Sequence, residues 1–501
     1  MRIERDTLGE VRVPDAMLYG AQTQRAVDNY PVSGLREHPV FIHAFVILKK
    51  AAALANHETG AMPRKLAEAI ANACDRIIGN SDLSFRKLVT RAKKGHTARI
   101  GDDDLRSVPY LVPPGYIASD FRDHFVVDVF QAGAGTSFNM NCNEVIANLA
   151  NKALGGKVGS YKPLHPNDHI NMSQSTNDAF PTATRLATLL LLRELFPALD
   201  GLIFAFDAKG EELADVIKSG RTHLQDAVPV TLGQEFHAWA AAVRRATKLL
   251  EDATDELREL GIGGTATGTG LNAPPGYRHA VVRYLSEMTK LALSSSLDLR
   301  ESMQSQLPLV AVSAALRNLA LELTRIANDL RLLASGPHAG LAEIALPAAQ
   351  PGSSIMPGKV NPSMLECLNQ ICFHIISADA AVAFASQAGQ LELNVMMPLM
   401  AFEILFSIAI LKNFLPILTE RCIRGITADR KRCEAYYTGS PALATVLNPL
   451  IGYERAAEVA KESVKSGTPI PELLRKKKML SEEEISRIFT PAFLTGQADR
   501  E

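Results

Sequence analysis

The sequence has little that would place the chain at a membrane or on a nucleic acid. Its 501 residues carry a formal net charge of −1 at pH 7, so no excess of positive charge is available for an anionic polymer or lipid surface. The first residues are charged and lack the apolar core of a signal peptide. The most apolar late stretch, residues 397–418, is interrupted by Glu403 and Lys412 and is predicted to be a buried helix. We therefore expect neither a nucleic-acid partner nor a membrane partner.

Close cysteine pairs are also missing. The six cysteines form no CxxC motif and are spread along the chain: Cys74, Cys142, Cys367, Cys372, Cys422 and Cys433. This spacing favours reduced thiols in a cytoplasmic protein. A chain of this length, with 47% hydrophobic residues, can form a large core divided over two or three domains.

Two glycine-rich strings imitate nucleotide-binding motifs, and neither fits. In the string that runs from Gly352 to Lys359, the first glycine is separated from the Gly-Lys pair by one residue more than in a P-loop. In addition, Val360 stands where Ser or Thr would bind magnesium. GIGGTA at residues 261–266 matches the dinucleotide pattern, but residues 249–260 are predicted to be a charged helical segment instead of a buried strand.

One histidine pair has the spacing of metal ligands on a helix. His165 and His169 are four residues apart, but Pro166 and the Asn-Asp sequence after it disfavour a helix there. The sequence therefore predicts no metal site and no cofactor.

The most informative stretch is GSSIMPGKVNP at residues 352–362. It carries the hydroxyls of Ser353 and Ser354, the ammonium of Lys359 and the carboxamide of Asn361 within nine residues. Its glycines give flexible joints, and its prolines exclude a regular helix. This composition predicts a lid loop that carries its own polar groups.

Three other strings combine small residues with hydroxyls and amides: QAGAGTSFNMN at residues 131–141, QSTND at 174–178 and GRTHLQDAVP at 220–229. Small residues let the backbone approach a ligand, and the hydroxyls of Thr136 and Ser137 can donate hydrogen bonds. The residues of the second string can also cap a following helix, and we expect them to do both.

Together these four strings resemble the signatures of the aspartase/fumarase superfamily of lyases, which release fumarate from a succinyl skeleton. The resemblance covers nearly the whole chain and implies a mainly α fold, an elongated helical bundle with smaller N- and C-terminal domains. It also implies a homotetramer whose active sites each draw on three subunits. The expected domains are residues 1–178, 179–430 and 431–501.

The resemblance implies a role for each residue of the strings. Ser353 would be the general base, and Glu366 would pair with His223, in the same chain or another. The implied catalytic residues are Ser353, His223 and Glu366. The implied substrate-binding residues are Thr136, Ser137, Ser175, Thr176, Asn177, Thr222, His223, Ser354, Lys359 and Asn361. The implied partner is a small dicarboxylate.

Three functions remain open at this point. The strings at 174–177, 226–229 and 389–394 look more like those of aspartases, which eliminate ammonia from L-aspartate, than those of fumarases, which eliminate water from malate. His338 and Ala342 depart from the aspartase pattern, which usually has arginine and asparagine there. A catalytically silent structural relative is the third alternative, and the intact set of site residues argues against it.

Two stretches lie outside the motifs. Residues 81–120 carry a basic run, an acidic run and a Pro-Pro-Gly turn, and are predicted to be a solvated surface excursion inserted into the family pattern. In residues 309–333, Val312 begins a series of apolar residues that alternate four- and three-residue steps. Such a heptad stripe predicts a long helix packed lengthwise in a bundle.

Overall fold

The computed structural model describes residues 1–79, 116–352 and 354–496. The predicted excursion at 81–120 lies outside the described residues except for its last five, and Ser353 also lies outside them. Over the described residues the α-helices are α1 (Ala21–Asn29), α2 (Pro39–Glu58), α3 (Arg64–Ile78), α4 (Thr136–Ala153), α5 (Thr176–Glu212), α6 (Leu232–Ala253), α7 (Tyr277–Thr289), α8 (Leu299–Gln304), α9 (Leu307–Leu333), α10 (Ser363–Gln387), α11 (Met397–Arg421), α12 (Arg430–Gly439), α13 (Asn448–Ile451), α14 (Tyr453–Ser466), α15 (Ile470–Lys477), α16 (Glu482–Ile488) and α17 (Pro491–Leu494).

The strands are short and occur in pairs. They are β1 (Arg2–Asp6), β2 (Gly9–Val13), β3 (Ile217–Thr222), β4 (Gln225–Thr231), β5 (Glu259–Leu260), β6 (Ser294–Ser295), β7 (Ile344–Ala345) and β8 (Thr427–Ala428). The pairs β1–β2, β3–β4 and β7–β8 are antiparallel, and β5–β6 is parallel. The predicted mainly α, helical-bundle fold is confirmed.

The heptad stripe is confirmed as one face of α9. Its seven apolar side chains are all buried: Val312, Leu316, Leu319, Leu323, Ile326, Leu330 and Leu333. By contrast, the sequence pattern predicts no helix at Ala21–Asn29, where the structure has α1. This helix is short, and Gly20 precedes it without a side-chain cap, so the usual start signal is missing.

The chain divides into two compact units, and the predicted three consecutive domains stay a prediction. The first unit consists of Met1–Pro197, Lys248–Asn318 and His374–Lys412. Its core contains α2, which is buried along most of its length and packs on α3 and α7.

Four aromatic rings fix the centre of the first unit. Phe41 and Phe45 of α2 pack with Phe138 of α4 and Phe180 of α5, at ring-centroid distances between 4.9 and 5.9 Å. Aromatic side chains bury large apolar areas and prefer such edge-to-face contacts. The cluster therefore holds the first turns of α4 and α5 against α2, and both turns carry predicted motifs.

The second unit consists of Ala198–Thr247, Leu319–Phe373 and Asn413–Glu501. It contains the β3–β4 hairpin, on which α12 packs. A separate apolar cluster joins the helices near the C-terminus and includes Leu447, Leu474 and Ile488. Here α16 begins with a capping box, in which Ser481 and Glu484 satisfy each other's backbone N–H groups.

Four helices are long and apolar enough, by length and composition alone, to cross a membrane: Pro39–Glu58, Leu307–Leu333, Ser363–Gln387 and Met397–Gly425. The apolar window of the first is 94% buried inside the chain, whereas the other three windows are 39% to 50% buried. The helix predicted over 397–418 is present, with half of its apolar window buried. These three helices thus leave apolar surface open on a single chain.

Candidate active site

A cavity of about 500 Å³ lies in the first unit, where four stretches of the chain meet. Its walls are formed by Gln22, Thr136, Asn139, Met140, Asn171, Ser173, Gln174, Ser175, Thr176, Asn177, Thr265, Ala266, Thr267, Thr269, Leu271 and Asn272. Of these described lining residues none is ionisable, and most carry a hydroxyl or a carboxamide. Such a wall can form many hydrogen bonds without adding charge to the cavity.

Two helices begin at this cavity. Thr136 is the first residue of α4, and Thr176 is the first residue of α5. The first N–H groups of a helix have no intrahelical acceptor, and the helix dipole is positive at this end. Helix N-termini therefore favour anions, and here two of them carry hydroxyls on the same cavity wall. The arrangement suits a carboxylate.

A tight turn with positive φ angles places Thr136. Ala134 has φ 61°, and Gly135, which precedes α4 directly, has φ 83°. A Cβ atom on Gly135 would penetrate the ring of Phe180, because the backbone passes directly over that ring. Glycine is thus required at position 135 for two reasons, the left-handed backbone and the close approach.

Replacing Gly135 with alanine is expected to lower the free energy of unfolding more than the same change at Gly155. Both glycines have nearly the same φ, 83° and 84°, but a Cβ on Gly155 would have no atom within 4 Å. Gly155→Ala isolates the backbone strain of about 1 kcal/mol, and Gly135→Ala adds overpacking of about 1–3 kcal/mol. Urea denaturation measures both. Equal losses would contradict the predicted clash with Phe180.

The start of α5 is capped as predicted. The Ser175 Oγ accepts the N–H of Asn177 at 3.2 Å, and the Asp178 carboxylate accepts the N–H of Ser175 at 2.9 Å. The capping role of this string is thereby confirmed. Because the Ser175 oxygen accepts, its own proton can still be donated to a ligand in the cavity.

Asp178 also holds the loop that closes the cavity. Its second oxygen accepts the N–H groups of Gly263 at 3.0 Å and Thr265 at 2.9 Å. Complete burial raises the pKa of Asp178 to about 7, against the effect of these donors. Asn177 adds a bond from its Nδ2 to the Ala266 carbonyl at 2.8 Å. The dinucleotide-like string at 261–266 is therefore part of a loop beside the cavity.

A buried cation lies behind the cavity wall. The Lys49 Nζ donates to the Asn139 Oδ1 at 2.7 Å, the Asn171 Oδ1 at 3.1 Å and the Gln174 Oε1 at 3.0 Å. All three amides line the cavity. Burial lowers the pKa of Lys49 to about 8.

A second group of predicted residues lies in the second unit, on the β3–β4 hairpin. Thr222 ends β3, and His223 and Leu224 form the two-residue turn. Both turn residues have positive φ, 54° and 58°, which is the geometry of a type I′ turn. Such strain in residues other than glycine is often found at functional sites. The turn exposes His223 to solvent on the single chain.

A buried ion cluster anchors this hairpin. Arg221 donates to both oxygens of Glu343, at 2.8 to 3.0 Å, and the Glu343 side chain has no exposed surface. Lys218 lies 3.4 Å from Glu343 and 2.9 Å from Glu235. Two cations thus face two carboxylates at the base of the strand that leads to Thr222.

The predicted lid loop is closed by one backbone and one side-chain hydrogen bond. The N–H of Gly352 donates to the Lys359 carbonyl at 2.9 Å, and the Asn361 Nδ2 donates to the Gly352 carbonyl at 2.5 Å. Ser354 and Lys359 are exposed on the loop between these bonds. One N–H of Asn361 therefore holds the loop, and its carbonyl oxygen and second N–H are left for other contacts.

The predicted site residues fall into two groups. Thr136, Ser175, Thr176 and Asn177 line one cavity in the first unit, and Ser137 is buried beside Thr136 without being part of the described lining. The remaining described residues belong to the second unit. There, Glu366 lies 3.8 Å from Arg331, and its pairing with His223 stays a prediction.

Sequence reasoning missed several residues at the cavity. Asn139 is three residues after Thr136, so it lies on the same face of α4, and that spacing is a signal that could have identified it. Lys49 interrupts an apolar helix together with Lys50, which is a signal for a buried cation. Gln22 has no such signal, because the short helix α1 that carries it was not predicted.

The histidine pair at 165 and 169 is engaged with backbone N–H groups. The His165 Nδ1 accepts the N–H groups of Asn167 and Asp168, and the His169 Nδ1 accepts the N–H of His165 at 3.0 Å. Residues 166–170 form a single π-helical turn. Within the described part of the chain, no group of three His, Cys, Asp or Glu side chains is placed to hold a metal ion.

Known proteins resemble this chain along nearly its whole length. Family models described as "Lyase" and "Fumarase C C-terminus" match residues 116–377 and 443–496. The aspartate ammonia-lyase of Helicobacter pylori is 44% identical over 98% of this chain and 97% of its own. A fumarate lyase/delta crystallin from Brucella melitensis, solved with cobalt, is 44% identical, with a TM-score of 0.85 over 97% of this chain and 98% of that one. The class II fumarase of Schistosoma mansoni is 31% identical, with a TM-score of 0.84 over 98% of both chains.

Proposed function

Because this chain belongs to the lyase family that includes aspartate ammonia-lyases and class II fumarases, we propose that it eliminates ammonia from L-aspartate, reversibly, to give fumarate. The 44% identity with an aspartate ammonia-lyase over 98% of the chain carries the proposal. The class II fumarase is less similar, at 31% identity, so elimination of water from malate is the second candidate.

The first requirement of this reaction is stabilisation of negative charge. A base removes a Cβ proton, the electrons move onto the adjacent carboxylate, and that group becomes a dianion. Preorganised donors aimed at its oxygens lower the barrier. Thr136, Ser175 and Thr176 offer hydroxyls on the cavity wall at two helix N-termini. Ser137 and Ser354 are the other proposed donors.

The second requirement is a base and a clamp. Ser353 takes the Cβ proton, and Lys359 with Asn361 binds the other carboxylate of the substrate. Asn177, Thr222 and His223 contact the amino group, with Glu366 supporting His223. The carbon–nitrogen bond then breaks, the carbon–carbon double bond of fumarate forms, and ammonia leaves. Closure of the lid excludes water and strengthens each of these contacts.

The third requirement is an assembly. The predicted site residues come from distant parts of the sequence, and three long apolar helices are only 39% to 50% buried in a single chain. A homotetramer with active sites shared among subunits would cover these helices and complete each site. The enzyme is a soluble protein of the cytoplasm, and no nucleic acid or membrane is needed for its reaction.

Equal concentrations of L-aspartate and L-malate, supplied separately at mildly alkaline pH, test the proposal. We expect fumarate to form from aspartate at least about tenfold faster, because a hydrogen-bonding site discriminates strongly between leaving groups that it satisfies and those that it does not. The ultraviolet absorbance of fumarate measures both rates. Faster conversion of malate would make the chain a fumarase, and absence of both reactions would make it a silent relative.

A further inference from the structure

Lys49 lies outside every string that predicted the site, yet it contacts three residues of the cavity wall. It is completely buried on α2, and its three N–H bonds go to three different carboxamide oxygens. An ammonium has three donors and no acceptor. Each of these amides must therefore turn its oxygen toward Lys49 and its NH₂ group away from it.

The orientation of the Asn139 amide determines whether the Thr176 hydroxyl can donate its proton to a ligand in the cavity. With its oxygen on Lys49, Asn139 donates through Nδ2 to the Thr176 Oγ1 at 2.8 Å. A hydroxyl is both donor and acceptor, and here its oxygen is occupied as an acceptor. The Thr176 proton is then available to a ligand in the cavity.

We propose that Lys49 is a positioning residue that fixes the direction of the hydrogen bonds in the cavity wall, so that Thr176 presents a donor to a substrate carboxylate. This inference rests on the proposed function for its substrate, a dicarboxylate. Without Lys49, Asn139 can rotate its amide and accept from Thr176, whose lone pairs would then face the cavity. Lone pairs repel a carboxylate and attract an ammonium, so Lys49 also selects which end of aspartate binds here.

The other two contacts of Lys49 support the same hydrogen-bond directions. Asn171 Oδ1 accepts from Lys49 and also from Asn139 Nδ2 at 3.2 Å, so Asn139 is held at both ends of its amide. Gln174, with its oxygen on Lys49, donates to the backbone carbonyls of Ile170 and Met172. Lys49 is not among the described lining residues of the cavity, so its effect on a ligand comes through the three neutral carboxamides that it orients.

Calorimetric binding of succinate, a dicarboxylate that cannot react, tests the inference at neutral pH. In the assembled full-length protein, Lys49→Met keeps an unbranched apolar stem and removes the ammonium. We expect about 10- to 100-fold weaker succinate binding, since a charge-assisted hydrogen bond that orders the donor is lost. The matched control is Lys50→Met. Lys50 is the neighbouring lysine on the same helix, equally buried, and paired with Asp75. Its loss should lower stability and leave the succinate affinity unchanged.

A double-mutant cycle with Thr176 separates positioning from a general structural effect. In a Thr176→Val background, Lys49→Met should weaken binding further by less than about threefold, because both changes remove the same donor. Full additivity of the two losses would overturn the inference. If Lys49→Met fails to assemble, Asn139→Leu cuts the same link, leaves Lys49 two acceptors, and must show the same coupling to Thr176.

The two proposals can fail separately. A wild-type protein that binds succinate with this coupling but forms no fumarate from aspartate would overturn only the proposed function. One that forms fumarate from aspartate but shows additive losses would overturn only the role of Lys49. A wild-type protein that binds no dicarboxylate would overturn both.

Discussion

Replacing Ser353 with alanine is expected to lower kcat by about 10²- to 10⁴-fold, the usual contribution of a positioned proton transfer. Alanine removes only the hydroxyl, so the loop backbone and the rest of the site stay available for binding. The KM for aspartate should therefore change much less than kcat. Fumarate absorbance at saturating aspartate gives the rate, and light scattering checks that the variant assembles like the wild type.

The surrounding loop gives a physical reason for placing the base there. The Gly352–Lys359 and Asn361–Gly352 hydrogen bonds join the two ends of the loop, so the described residues 354–358 belong to an excursion closed at its base. A serine is a poor base in water, because its alkoxide is costly to form. Loop amides and the Lys359 ammonium can stabilise that alkoxide once closure has removed water.

Ser354→Ala is the matched comparison, since it removes the adjacent hydroxyl from the same loop. As a proposed donor to the carboxylate that becomes a dianion, Ser354 should also contribute to kcat, and its loss should cost less turnover than the loss of Ser353. The reverse order of the two kcat values would transfer the role of base to Ser354. Near-normal turnover in both variants would remove the base from this loop.

The sequence predicted most accurately those parts of the fold that depend on local pattern. The heptad stripe of α9 follows from apolar periodicity, and all seven of its side chains are buried. The apolar stretch at 397–418 likewise lies in one helix, which begins at Met397. The cap formed by Ser175 was predictable because capping needs only neighbouring residues. Helix α1 was not predicted, since contacts distant in sequence, such as the Glu144 carboxylate on the N–H groups of Gly20 and Thr23, fix its start.

The candidate site also combines features that neighbouring residues determine with features that depend on contacts distant in sequence. Thr136 and Thr176 were chosen from strings, but their meeting at one cavity depends on the packing of Phe138 against Phe41, and of Phe41 against Phe180. No local pattern encodes that arrangement.

Ala342, which departs from the aspartase pattern, has φ 50°. The left-handed region favours asparagine among residues other than glycine, so this departure concerns local backbone strain as well as substrate choice.

Glu343→Gln is expected to lower the free energy of unfolding by about 3–5 kcal/mol, the usual result of removing one partner from a buried ion pair. Glu343 has no exposed side-chain surface and accepts three hydrogen bonds from Arg221, with Lys218 at 3.4 Å. Glutamine keeps the shape but leaves two cations facing one carboxylate, Glu235. Urea denaturation of the assembled protein measures the loss, and an unchanged midpoint would contradict it.

An exposed pair from the same unit is the control. Glu322 contacts Arg325 at 2.7 Å on the surface of α9, where both side chains are more than a third exposed. Water screens such pairs, so Glu322→Gln should change the unfolding free energy by no more than about 0.5 kcal/mol. A loss as large as that of Glu343→Gln would show that the assay responds to charge in general.

A second substitution distinguishes charge imbalance from loss of a specific contact. Lys218→Met alone leaves Arg221 facing two carboxylates and should also destabilise the protein. Combined with Glu343→Gln, it leaves the cluster with one cation, Arg221, and one carboxylate, Glu235, so that its charges balance again. The double variant should therefore be more stable than the sum of the two single losses predicts, by at least about 1 kcal/mol for neighbours that share partners. Strict additivity would mean that Glu343 acts through its Arg221 bonds alone. Lys218 and Arg221 lie on β3, four residues and one residue before Thr222, so recovery of stability should be accompanied by recovery of the KM for aspartate.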